Sequence, residues 1–228
     1  MLKNVFIPIH RAGWPFIGAA VAGAVLLSFL WAPLFWLGLL VAAFCTYFFR
    51  DPERIVPARA GLVVSPADGL VSAVEPAVPP AELGMGGGLR PRVSIFLSVF
   101  DVHINRVPAD GTISALAYRK GAFVNAALDK ASEQNERQSV RMTTPDGRDI
   151  AFVQIAGLIA RRIICNLVQG QGVRAGERFG LIRFGSRTDV YLPDDVAPLV
   201  AVGQRMIGGE TVIADLTSKE ETRRGEVR

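Results

Sequence analysis

The sequence predicts a mainly β fold, an antiparallel β-rich domain with few short helices, preceded by an N-terminal apolar helical hairpin. Three observations carry that prediction. No residue from Ala12 to Phe49 is charged. After Arg50 the chain becomes a series of short β-branched and apolar runs at near-regular spacing. Between those runs stand the Pro, Asp-Gly and Gly signals of tight turns.

The uncharged run is too long for one membrane crossing, which takes about 20 apolar residues. Pro33 falls near its middle, where a helix interior would break. Two helices follow, near Trp14–Leu30 and Leu34–Phe49. Lys3, His10 and Arg11 precede the run and Arg50 and Arg54 follow it. Basic flanks on both sides favour both ends on the cytoplasmic face. Trp14, Trp31, Trp36 and Tyr47 fall at the expected interfaces. A cleaved signal peptide fits poorly, because the run is too long and no small-residue cleavage site precedes the next domain. A full crossing and a re-entrant hairpin both stay open.

In the remainder, Leu62–Val64 and Leu70–Val74 read as strands around the turn Ser65-Pro66-Ala67-Asp68-Gly69. Pro79 to Pro91, with Gly84, Gly86, Gly87 and Gly88, reads as a loop, and Arg92–Phe100 as a strand. Pro108-Ala109-Asp110-Gly111 repeats the wording of the earlier turn. Either a β unit is duplicated, or turn chemistry is reused. Ala126–Glu136 is the best helix outside the hairpin. Ser139–Thr144, Ile150–Ile155 and Ile159–Val168 read as strands, with Thr144-Pro145-Asp146-Gly147 as a hairpin turn. Arg178–Phe184 and Asp189–Leu192 flank the pair Gly185-Ser186, and further strands fall within Leu199–Ala214. The organisation is therefore a membrane-associated hairpin over residues 1–49, a β-rich domain over 50–216 and a charged tail over 217–228.

The net charge of +4 could serve nucleic acid or an anionic membrane surface. Beside an apolar hairpin the membrane is the simpler partner, and no nucleic-acid motif accompanies the charge. The two cysteines, Cys45 and Cys165, have no metal spacing and form no disulfide framework, which suits a reducing cytoplasm.

The chemistry-bearing candidates are few. Of two histidines, His10 precedes the hairpin, so His103 is the one imidazole available for proton transfer in the β domain. Asp68 is either an orienting carboxylate for it or an ordinary Asp-Gly turn residue. Gly185-Ser186 also has two readings. It is a strand end with Gly at a turn, or a bond that the Ser hydroxyl attacks, since Gly has no Cβ to block approach. Ser186 is not in a G-x-S-x-G elbow, which argues against an ordinary hydrolase.

Phe48 to Leu192 resembles the short, single-hairpin, prokaryotic class of pyruvoyl-dependent phosphatidylserine decarboxylases. The matching pieces begin with Phe48-Phe49-Arg50-Asp51-Pro52, Ser65 to Gly69, Phe96-Leu97-Ser98, Asp101 to Arg106 and Gly121 to Asn125. Then come Asp129 to Ser132, Asn135-Glu136-Arg137, Gln154 to Gly157, Ala160 to Ile163, Gly176-Glu177-Arg178 and Ile182 to Ser186. No single piece is specific, but their order is.

The resemblance implies a zymogen that cuts itself between Gly185 and Ser186. It would give a β chain of residues 1–185 and an α chain of 186–228. Ser186 would become a covalent pyruvoyl group, the cofactor, which holds the substrate as a Schiff base. By the same similarity Asp68 and His103 match positions used in processing and catalysis. One departure is that Arg106 stands where the longer bacterial class carries a further His. The implied substrate is an anionic phospholipid with a serine head group, converted to phosphatidylethanolamine and CO2 at the cytoplasmic face of the cell membrane. Arg50, Arg54, Arg161, Arg162, Arg183 and Arg187 are candidates for its anionic groups. Two other readings are a membrane-tethered β domain that binds lipid or protein without chemistry, and a decarboxylase of another serine-headed lipid.

Overall fold

The computed structural model describes residues 7–121, 135–157, 162–183 and 185–226. The chain divides into two compact units, Met1–Glu53 and Arg54–Arg228.

In the first unit, α1 (Trp14–Ser28) and α2 (Pro33–Phe48) form the hairpin. Each has a proline in its first turn, where the missing N–H is no loss. The helices touch through small residues. A Cβ on Gly38 would stand 2.4 Å from that of Ala24, so Gly38 permits close approach. At the base the His10 N–H donates to Phe49 O at 2.8 Å and the Asp51 N–H to Pro8 O at 2.7 Å. The outer surface is apolar, with Phe29, Leu30, Trp36 and Leu40 all exposed. Arg11–Ser28 is long and apolar enough to cross a membrane, while Pro33–Phe48 is shorter.

The second unit is almost wholly antiparallel β. Its strands are β1 (Leu62–Val64), β2 (Gly69–Ala77), β3 (Arg90–Leu97), β4 (Ile104–Arg106), β5 (Gly111–Arg119), β6 (Arg137–Thr143) and β7 (Asp149–Ala156). They continue with β8 (Ile163–Cys165), β9 (Gly172–Val173), β10 (Arg178–Ile182), β11 (Ser186–Tyr191), β12 (Arg205–Met206) and β13 (Val212–Asp215). Eight form one sheet in the order β12-β2-β3-β11-β7-β6-β5-β9. β4-β10-β8 and β1-β13 form smaller sheets. The main core gathers Val93, Ile95 and Leu97 of β3, Val140 and Met142 of β6, Ile150 and Phe152 of β7, and Phe179 and Val190.

Some boundaries differ from expectation. β3 stops at Leu97 because the Asp101 carboxylate accepts from both the N–H and the hydroxyl of Ser98 at 2.8 Å and closes a turn. Of the helix expected over Ala126–Glu136, residues 126–134 lie outside the described residues. Asn135 and Glu136 are not helical, since both bond across to Ala156. Of Ile159–Val168, residues 159–161 are not described and only Ile163–Cys165 is strand. Ser186 is the first residue of β11, not part of a gap between strands. In the tail the Thr217 N–H donates to Asp215, and the Arg223 N–H to Pro198 O.

The two Pro-Ala-Asp-Gly turns belong to a duplicated unit. β1 ends at Val64, five residues before Gly69, and β4 ends at Arg106, five before Gly111. The Val64 N–H donates to Pro108 O at 2.7 Å and the Arg106 N–H to Pro66 O at 2.8 Å, so the copies clasp each other. Each glycine then lies against a neighbouring strand. A Cβ would come within 2.1 Å of Phe96 O at Gly69 and 2.5 Å of Thr143 O at Gly111. A bulge follows at the same offset in both, between Val71 and Ala73 and between Ile113 and Ala115.

Candidate active site

Strand register brings the predicted residues to one end of the large sheet. Ser186 pairs with Leu97 on one side and Ala156 on the other. Phe96 pairs with Leu70, so Gly69 stands at the same level one strand further out. Asp68, the Ser98–His103 turn and Gly185 therefore all lie just beyond the same sheet edge. At ordinary strand spacing, the Asp68 and Gly185 backbones are two strands, about 10 Å, apart.

Ser186 is fully buried, and its hydroxyl has no hydrogen-bond partner among the described residues. A buried hydroxyl left without a partner is uncommon and asks for a functional reason. Gly185 has φ +65°, in the left-handed region that favours glycine. Apart from its chain neighbours, no heavy atom of the described residues lies within 4 Å of where its Cβ would be, so space is open on that side of Gly185.

His103 is buried, with Nδ1 3.0 Å from the Asp101 carbonyl oxygen. That contact makes Nδ1 the protonated nitrogen of the neutral ring and Nε2 the basic one. The ring is thus oriented by main chain. Asp101 is itself pinned, with Oδ2 on Ser98 and Oδ1 on Arg205.

Asp68 is held by a guanidinium and a main-chain N–H. Its Oδ2 accepts from Arg54 at 2.7 Å and its Oδ1 from the Gly208 N–H at 2.8 Å. Burial raises its carboxyl above the usual range and the charge of Asp101 adds to this, against the lowering by Arg54 and Gly208. The second copy of the turn makes the same main-chain bond, from the Ala175 N–H to Asp110 Oδ1 at 2.8 Å. Arg54 is what sets Asp68 apart.

The candidate anion-binding arginines divide. Arg187 neighbours Ser186 but projects to the opposite face of β11, where its Nε is 2.9 Å from Asp189 Oδ1. Arg92 and Tyr191 extend that buried network, and the exposed Glu75 caps it at Arg92. There burial, then the charge of Asp189, pushes the Tyr191 hydroxyl up to about 12. Arg54 is taken by Asp68, and Arg50 lies over the Tyr47 ring in the other unit. Arg183 and Arg162 adjoin each other next to Gly185, and burial and then the charge of Arg162 lower the pKa of Arg183. Arg161 lies outside the described residues, as do 122–125, 129–132 and 160 of the motif series.

Sequence reasoning did not single out three polar residues of this site. Asp101 orients the histidine. Gln154 on β7 donates from Nε2 to Asn105 Oδ1 at 2.8 Å, on the face that carries Ser186. The available sign was the motif series: Asp101 and Asn105 fall in the piece Asp101 to Arg106, and Gln154 opens the piece Gln154 to Gly157.

A family model described as phosphatidylserine decarboxylase matches residues 41–214. The chain is 61% identical over 228 residues to a phosphatidylserine decarboxylase proenzyme of Paramagnetospirillum magneticum, covering 100% of this chain and 95% of that protein. It is 59% identical over 229 residues to the proenzyme of Cereibacter sphaeroides, covering 100% and 98%. With that of Ruegeria pomeroyi it shares 56% identity over 216 residues, covering 94% and 99%.

Proposed function

The chain belongs to the phosphatidylserine decarboxylase family, and from that premise we propose that it is a membrane-tethered proenzyme activated by cutting itself between Gly185 and Ser186. The observation that carries the cleavage site is the Ser186 hydroxyl, buried without a partner and preceded by a glycine at positive φ.

The Ser186 Oγ attacks the Gly185 carbonyl carbon, and the amide bond to the Ser186 nitrogen breaks to leave an ester. Removal of the Ser186 Cα proton then expels the Gly185 carboxylate. One water hydrolyses the remaining nitrogen as ammonia, and residue 186 is left as a pyruvoyl group. His103, with Nε2 as its basic nitrogen, is the group proposed to take the hydroxyl proton. The buried Ser186 hydroxyl and the open space beside Gly185 fit this conversion.

The pyruvoyl carbonyl supplies the electron sink that loss of CO2 from an amino acid needs, the role pyridoxal phosphate fills elsewhere. The protein's residues do the rest. The bond between Cα and the carboxylate of the serine head group breaks, and Cα must then receive a proton. His103 is the proposed donor, held by the Asp101 carbonyl. Asp68, held by Arg54 and Gly208, places a carboxyl group at the same sheet end. The hairpin tethers the enzyme to the bilayer that holds the lipid's acyl chains, with its basic flanks on the cytoplasmic face.

Mass spectrometry of the purified protein under denaturing conditions tests the proposal. Two chains split after Gly185 are expected, the smaller without a free amine. Ser186→Ala should remain a single chain and release no CO2 from phosphatidylserine, and His103→Ala should lose most of that activity. An unmodified 24.6 kDa parent chain would refute the proposal. Cleavage persisting in Ser186→Ala would move the scissile bond elsewhere.

A further inference from the structure

The face of β11 that carries Ser186 also carries Thr188, and a further buried polar group, Asn105, adjoins it from β4. Asn105 is fully buried on β4, two residues beyond the buried His103 in sequence. Its Oδ1 accepts from Gln154 Nε2 at 2.8 Å, and Gln154 Nε2 also reaches Ile164 O at 3.3 Å. Gln154 is the β7 partner of Thr188, two residues along β11 from Ser186. The bond from Gln154 fixes the amide of Asn105, so its Nδ2 is turned away from Gln154. That nitrogen has no acceptor among the described residues. A fully buried amide N–H2 without an acceptor is costly to the fold. Ser186 and Gln154 share this face, so Asn105 borders the strip of sheet that carries residue 186.

We propose that Asn105, positioned by Gln154, is the hydrogen-bond donor that holds the carboxylate of the serine head group beside residue 186. This rests on the decarboxylase reading above. The chemistry favours a neutral donor. The carboxylate loses its charge as the bond to Cα breaks, so an ion pair would stabilise the ground state more than the transition state and slow the reaction. The guanidinium next to Ser186 in sequence, Arg187, is turned to the other face and held by Asp189. Arg54 is held by Asp68. An amide can fix the carboxylate's direction without neutralising it.

The test uses the full chain in mixed micelles of detergent and phosphatidylserine. Asn105→Ala should still split after Gly185, because the donor serves the substrate and not the cleavage. Its kcat/KM should fall by about tenfold, the loss of one buried hydrogen bond. The parent should bind phosphatidylserine better than its carboxyl methyl ester, and Asn105→Ala should lose that preference. Gln154→Glu is the second variant. Its carboxylate would draw Asn105 Nδ2 to itself and withdraw the donor with Asn105 still present, so the same fall is expected. Cleaved Asn105→Ala with kcat/KM within about twofold of the parent and the ester preference intact would overturn the inference. So would folded Asn105→Ala that no longer cleaves, which would place the donor in processing. If the parent releases no CO2 from phosphatidylserine, the decarboxylase reading fails instead, whatever the variants do.

Discussion

Asp68 and Asp110 occupy the same turn in the two copies of the β unit, and the difference between them isolates what Asp68 adds. Both carboxylates accept a main-chain N–H at 2.8 Å, from Gly208 and Ala175. That bond is the turn's own requirement. Asp68 also holds a half-buried guanidinium, Arg54, and faces the charge of Asp101. Its carboxyl is raised in the folded protein, burial being the largest cause. A raised carboxyl means that the fold favours the protonated form. Ionising Asp68 therefore opposes folding. The stabilising preference is fully present below the ordinary carboxylate value of about 3.9, and is lost as pH rises through the raised folded value. Asp68→Asn cannot ionise. Relative to the parent, the variant should gain stability as pH rises through that window, whatever constant offset the lost pairing with Arg54 adds. Denaturant midpoints of the two proteins across a pH series check this. A parent that gains on the variant as pH rises would mean that Arg54 and Gly208 outweigh burial.

At the scale of elements, the duplicated turn makes a paired prediction. Gly69 and Gly111 each press against a neighbouring strand's carbonyl, at 2.1 and 2.5 Å from an added Cβ. A backbone oxygen has no rotamer by which to give way. Gly69→Ala and Gly111→Ala should each destabilise by about 3 kcal/mol or more, seen as a lowered denaturant midpoint or loss of folded protein. Near-parental stability in either would break the equivalence of the two copies. The matching words Pro66-Ala67-Asp68-Gly69 and Pro108-Ala109-Asp110-Gly111 were legible in the sequence. Their clasp was not, because it runs through main-chain bonds of Val64 and Arg106 that no side chain signals. The hairpin was readable because charge is absent over its whole length. β11 was harder. Ser186, Arg187 and Thr188 fall between the expected strands Arg178–Phe184 and Asp189–Leu192, yet they open a central strand with both faces covered. Arg187 is buried there in an ion pair with Asp189. His103 was found because the β domain has no other histidine. Asn105 and Gln154 stand inside the matching pieces, but an uncharged amide has no distinctive spacing that would assign it a role. Only the bond between β4 and β7 shows their relation.

At the scale of the whole molecule, the proposed cut falls where the sheet is most interleaved. The piece from Ser186 onward would carry β11, β12 and β13. β11 lies between β3 and β7, β12 pairs with β2 and β13 with β1, all on the other piece. Ion pairs cross as well, Arg59 with Asp215 and Arg205 with Asp101. The cut therefore removes one covalent bond and leaves the packing in place, so the two pieces should stay together under native conditions. The consequence appears on refolding. Before the cut, β11 reaches its place between β3 and β7 as part of one chain, at an effective concentration set by the connecting loop. After it, assembly is bimolecular and depends on protein concentration. Cleaved parent and uncleaved Ser186→Ala, unfolded in guanidinium and diluted into detergent, should therefore part company. The fraction of Ser186→Ala that regains its β-sheet circular dichroism should not change with concentration. That of the cleaved protein should be lower, and should rise as protein concentration rises. Equal recovery of both at every dilution would mean that the N-terminal piece folds without its central strand, against the pairing of β11 on both sides.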